Sequence, residues 1–123
     1  MTEAELKTRL KNFGIRIVKM VDSMPHTLSS VAIAKQIVRS GTSPAANYRA
    51  ACLGKSDRDF LNKLKMVEEE LDETEHWLDM IISCEILPEK RVQSLYQENH
   101  ELLKIITSSI LTMRKKIDGK TNH

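Results

Sequence analysis

Apolar residues recur along this chain at alternating steps of three and four, the spacing that lines one face of an α-helix. A half-buried strand would show a step of two. Leu6, Leu10, Phe13, Ile17, Met20 and Met24 form the first such stripe. With Thr2 and Glu5 as a capping box and Pro25 as a stop, they predict a helix over Thr2 to Ser23. Thr27 caps a second helix carrying Leu28, Val31, Ile33, Ile37 and Val38, and a break or kink is expected at Gly41, Thr42, Ser43 and Pro44. Proline lacks the N–H that the carbonyl four residues earlier needs, so Thr42 or Ser43 would cap a restarted helix with Pro44 in its first turn. The restart carries the small residues Ala45, Ala46, Ala51 and Cys52 beside Tyr48, which would allow a neighbouring helix to approach closely, and it ends at Gly54. Ser56 and Asp59 suggest a further capping box, followed by Phe60, Leu64, Val67, Leu71, Thr74, Leu78 and Ile81. After Leu87 and Pro88, a fourth stripe runs through Val92, Leu95, Asn99, Leu102, Ile106, Ile110, Met113 and Ile117.

Four amphipathic helices with short connections pack as an antiparallel up-down-up-down bundle, because each short turn sends the next helix back beside the last. The expected fold class is therefore an all-α four-helix bundle with its second helix kinked or broken near Gly41 to Pro44. An extended coiled coil is disfavoured by the interruptions at Pro25, Gly54 and Pro88. The 123 residues suffice for one domain, placed over residues 1–118, with Gly119 to His123 expected to fray. A hydrophobic share of 41% beside 29% charged residues describes a globular chain rather than a disordered one. No apolar run approaches the roughly 20 residues of a membrane span. The charged N-terminus lacks an apolar signal core, so a cytoplasmic location is expected, with Cys52 and Cys84 kept reduced as buried structural thiols.

Charge changes the picture more than composition does. The net charge of +2 conceals a strong asymmetry. Pro25 to Ser56 contains Lys35, Arg39, Arg49 and Lys55 and no acid, whereas Asp57 to Glu85 holds ten acids against Arg58, Lys63 and Lys65. One reading pairs the basic second helix with the acidic third, within the bundle or between subunits. The other leaves a basic surface for nucleic acid, with Lys35, Arg49 and Lys55 joined by Arg114, Lys115 and Lys116. Only five aromatic residues are present, so base stacking would be poorly served and contact would fall on the phosphate backbone.

Candidate catalytic chemistry is sparse. Glu73 and His76 form one Glu-x-x-His, but a di-iron bundle needs a second, and His100 follows Gln97 rather than an acid. There is no phosphate-binding glycine loop, nucleophile elbow or cysteine–histidine cluster. A non-enzymatic protein without metal or cofactor is expected.

The segment Gln36-Ile37-Val38-Arg39-Ser40-Gly41-Thr42-Ser43-Pro44-Ala45-Ala46-Asn47-Tyr48-Arg49-Ala50-Ala51-Cys52 is followed by Ser56, Asp59-Phe60, Lys63-Leu64, Glu69-Glu70, Asp72-Glu73 and Trp77-Leu78. This pattern, spanning Phe13 to Ile81, resembles the signature of the 23S rRNA intervening-sequence protein family. The resemblance implies a four-helix bundle assembled as a ring-like homopentamer, without known catalytic activity. Some members are encoded within insertions of 23S ribosomal RNA genes. A related branch, the accessory variability proteins of diversity-generating retroelements, is basic, binds nucleic acid and partners a reverse transcriptase. This chain differs from that branch in its modest net charge and in Leu53-Gly54-Lys55 after the cysteine. Partners expected on these grounds are further copies of the chain, RNA or DNA, and a reverse transcriptase or other protein. Arg39, Ser43, Asn47, Arg49, Lys63, Glu70 and Glu73 are charged or polar residues among small and apolar ones, where a partly buried charge needs a partner. They are expected to form an ion-pair and hydrogen-bond network within the bundle or at a subunit interface, with Trp77 packed in the core or at that interface.

Overall fold

The computed structural model describes residues 1–121 and consists of four helices: α1 (Glu3–Asp22), α2 (Leu28–Cys52), α3 (Asp57–Ser83) and α4 (Glu89–Thr121). Each packs on the next in sequence, and α4 returns to α1 through the slightest of the contacts. The chain is an all-α four-helix bundle. Its core is the set of stripes read from the sequence, with Leu10, Phe13, Ile17, Leu64, Leu71, Leu78, Leu102 and Ile106 almost fully buried.

The capping chemistry sets the ends. Thr2 accepts from the Glu5 amide at 3.1 Å while the Glu5 carboxylate accepts from the Thr2 amide at 3.3 Å, so α1 begins with a complete capping box. Ser56 accepts from the Asp59 amide at 3.1 Å, but only this half of the expected second box is formed. The α3 C-terminus closes with Glu85 in the left-handed region at φ 56°, the Glu85 amide on the Ile82 carbonyl and the Ile86 amide on that of Ile81. This is a Schellman closure with glutamate where glycine is usual.

The second helix narrows the sequence reading. It runs unbroken from Leu28 to Cys52 with Pro44 inside it, so the expected break is absent. Thr42 donates its hydroxyl to the Val38 carbonyl and Ser43 to that of Arg39, both at 2.6 Å, in the turn just before the proline. Its buried face keeps Ile37, Tyr48 and Ala51 of the expected series and adds small and polar residues. Ser30, Ile37, Ser40, Gly41, Pro44, Tyr48 and Ala51 face inward, while Leu28 is 95% exposed. Small residues allow this because α1 and α2 meet backbone to backbone. A Cβ on Gly14 would stand 3.5 Å from the Gly41 carbonyl oxygen, and one on Gly41 would stand 2.9 Å from Ile17.

Polar groups inside the bundle fix its register. The Ser40 and Thr74 hydroxyls hydrogen-bond at 2.9 Å between α2 and α3, and Asn99 donates to the Leu71 carbonyl at 2.9 Å between α4 and α3. Helix α4 continues to Thr121, into the segment expected to fray, while Asn122 and His123 lie outside the described residues. The cysteines depart from the expectation of buried thiols. Cys52 is half-buried beside Tyr48, and Cys84 is exposed at the end of α3. Among the described residues, no helix is long and apolar enough to cross a membrane.

Candidate nucleic-acid interface

Antiparallel order brings the start of α1, the end of α2, the start of α3 and the end of α4 to one end of the bundle. Lys7 and Lys11 lie one turn apart on α1 and face Arg49 of α2 across a cleft of about 270 Å³, completed by Thr8, Ala45 and Ala46. The alanines leave the hollow open because they carry no bulk beyond Cβ. Among the described residues, no carboxylate and no aromatic ring lines it. None of the three cations takes part in an ion pair among the described residues.

Lys55 and Lys116 border a neighbouring hollow at the same end, but Glu3 and Asp57 border it too. Asp57 receives Lys116 at 3.4 Å and Lys120 at hydrogen-bond range, and these ammonium groups hold its carboxyl below the usual range. Lys116 is therefore engaged within the chain, whereas Arg114 and Lys115 are exposed and have no ion pair among the described residues. Lys35 stands apart, beside the hollow at the α1–α2 turn with Val21, Asp22 and Val31. The structure thus gathers Arg49, Lys55, Arg114, Lys115 and Lys116 at one end and leaves Lys35 elsewhere. Sequence reasoning missed Lys7 and Lys11. The signal was present in the topology, since an antiparallel pairing sets the first turns of α1 beside the last turns of α2.

The charged and polar residues along α2 and α3 are divided. Arg39 donates to both oxygens of Glu70, at 3.1 and 3.0 Å, and also to Glu73, so one guanidinium bridges two carboxylates a turn apart. Ser43 binds the Arg39 carbonyl. Asn47, Arg49 and Lys63 have no side-chain hydrogen bond or ion pair among the described residues, and so stand outside this cluster. Trp77 is half-buried against the core, with its Nε1 enclosed and without a hydrogen-bond partner among the described residues. His76 is exposed and meets the Trp77 ring edge-on, with centroids 4.7 Å apart. With Glu73 held by Arg39, the Glu73–His76 pair has no third ligand. Among the described residues, no group of three or more histidine, cysteine or carboxylate side chains could hold a metal.

The family model described as 23S rRNA-intervening sequence protein matches residues 3–108, nearly the whole bundle. The chain belongs to that family. A crystal structure of a protein of unknown function from the S23 ribosomal protein family of Bacteroides thetaiotaomicron is similar to it, at 34% identity and a TM-score of 0.80. The similarity covers 85% of this chain and 97% of that one. No curated protein matches the chain. Family membership and fold agree, since a single bundle accounts for the full span of the family match.

Proposed function

We propose that this member of the family is a non-enzymatic, homo-oligomeric binding module that works in the cytoplasm and holds the backbone of RNA or DNA on its basic end. The observation that carries the reading is the cleft between α1 and α2, where Lys7, Lys11 and Arg49 converge and, among the described residues, no carboxylate lines it or pairs with them. Three unneutralised cations in one hollow repel one another, and a phosphate backbone relieves that repulsion while releasing condensed counterions. Lys55, Arg114 and Lys115 extend the same end. Without an aromatic ring in the cleft, contact falls on phosphates and is nearly indifferent to sequence.

Fluorescence anisotropy of a labelled structured RNA at low and at high salt tests this. Binding at low salt that collapses at high salt, and that falls at least tenfold in Lys7→Glu/Arg49→Glu, is the expected result. A second reading, a protein-interaction scaffold, is favoured by the exposed apolar residues Ile15, Val18 and Val31 on the outer faces of α1 and α2. Absence of any binding at low salt would leave the scaffold as the function.

A further inference from the structure

Along the seam between α1 and α4, Arg9, Arg16 and Ser23 stand at intervals of seven residues on α1, and each bonds across to α4. Arg9 meets a carboxylate, donating to the two oxygens of Glu98 at 2.9 and 2.7 Å. The other two crossings have only hydroxyls as acceptors. Arg16 donates to the Ser94 hydroxyl at 2.7 Å, and Arg91 donates to the Ser23 hydroxyl at 3.0 Å. A neutral hydroxyl fixes a guanidinium in place without cancelling its charge. Ser23 in turn donates to the Met20 carbonyl at 2.6 Å, so the acceptor for Arg91 is itself held.

These two arginines, with Lys19 one turn beyond Arg16, border a hollow of about 290 Å³ on the seam where the bundle is least closely packed. Among the described residues, no carboxylate lines it and none of the three cations is ion-paired. Its floor is apolar, made by the buried side chains of Met20, Leu87 and Leu95. A low-dielectric floor under clustered charge focuses the positive potential into the opening. Each guanidinium has five N–H donors and uses one on its serine, so the rest are without a partner among the described residues.

We infer that this α1–α4 groove is a site for a phosphate monoester, a compact group carrying about −1.5 to −2 charge at pH 7. Two planar guanidinium forks and an ammonium around one hollow match its three terminal oxygens. A phosphodiester link carries a single charge on two free oxygens, and a carboxylate does the same, so each leaves part of the positive charge unanswered. The monoester is carried either by a small molecule such as a nucleotide or by the 5′ end of an RNA strand, and the recognising chemistry is shared. The groove lies on the flank of α1 that faces α4, away from the α1–α2 cleft, so the inference does not depend on the backbone-binding function proposed for that cleft.

Isothermal titration calorimetry with inorganic phosphate tests the site. The wild type should bind it saturably, one per chain, and Arg16→Gln/Arg91→Gln should weaken that binding at least tenfold. Both positions are exposed, and circular dichroism checks that the variant keeps the wild-type helix content. Arg16→Lys/Arg91→Lys, which keeps the charge and loses the forks, should fall between the two. Adenosine 5′-monophosphate and one short RNA in 5′-phosphorylated and 5′-hydroxyl forms then distinguish the sources, with the α1–α2 cleft disabled by Lys7→Glu/Arg49→Glu. Equal affinity for the mononucleotide and the phosphorylated RNA supports a small-molecule ligand. Preference for the phosphorylated RNA over both the mononucleotide and the hydroxyl form supports a strand end. No saturable binding of inorganic phosphate at millimolar concentration, or equal binding by wild type and Arg16→Gln/Arg91→Gln, would overturn the site. Equal affinity for a glutamate-rich peptide would overturn its assignment to phosphate.

Discussion

Glu85 occupies a backbone conformation that costs an L-residue about 1–2 kcal/mol, and glycine adopts it freely. Replacing it with glycine removes that cost but adds freedom to the unfolded chain, which offsets about half. Glu85→Gly is expected to raise stability by about 0.5–1 kcal/mol, read from the urea midpoint at unchanged slope. Asp57 is the opposite case, a residue whose charge fastens the end of α4 to the start of α3 through Lys120 and Lys116. Its carboxyl is held below the ordinary value of 3.8, chiefly by the Lys120 hydrogen bond. A lowered folded value means that the contribution is complete above the unfolded value and is lost as pH falls through the folded one. Asp57→Asn should therefore loosen the last turn of α4 at pH 7, seen as reduced helical carbon shifts around Lys120. The difference from wild type should shrink as pH falls through the lowered Asp57 value and vanish once the carboxyl is protonated. A difference persisting at low pH would show that packing, not charge, holds the terminus.

At the scale of elements, α1, α3 and α4 were legible because their buried stripes are long, apolar and regularly spaced, from Leu6 to Met24, Leu64 to Ile81 and Val92 to Ile117. Helix α2 was not, and the reason is physical. Beside Ile37 and Tyr48, its inward face includes Ser40, Gly41, Pro44 and Ala51, which blur the amphipathic period, and around Gly41 the close approach of α1 leaves no room for a larger side chain. The proline suggested a break or kink, and the helix runs on through it without ending. The two glycines at the α1–α2 contact predict opposite outcomes. A methyl on Gly41 would collide with the buried, β-branched Ile17, so Gly41→Ala is expected to destabilise by about 1–2 kcal/mol even after its helix-propensity gain. A methyl on Gly14 meets only ordinary contacts at 3.5 Å and beyond, so Gly14→Ala should gain up to about 1 kcal/mol. Thermal melting of the two variants side by side checks the sign of each.

For the whole molecule, the charge asymmetry was visible in the sequence, but its disposition was not. Composition named Lys35, Arg49 and Lys55 together because they share a basic stretch, whereas the fold separates Lys35 from the other two and adds Lys7 and Lys11 from α1. Arg114 and Lys115 reach the same end only because α4 runs antiparallel to α3. Lys116 is already committed to Asp57. The sequence likewise suggested that α2 and α3 neutralise each other, but the bundle confines that pairing to Arg39 with Glu70 and Glu73. What remains outward-facing is a basic cleft at one end, an apolar strip beside it and an acidic edge on α3. The first of these is the surface on which the proposed backbone-binding function rests.

The measurement that bears most directly on this account is the salt dependence of RNA binding by the wild type and by Lys7→Glu/Lys11→Glu/Arg49→Glu. Each phosphate contact adds nearly one to the slope of log K against log salt, so losing three should flatten the slope by about two to three. That flattening, with helix content unchanged, is the predicted result. An equal slope and equal affinity in the two proteins would contradict the claim that the α1–α2 cleft holds the backbone.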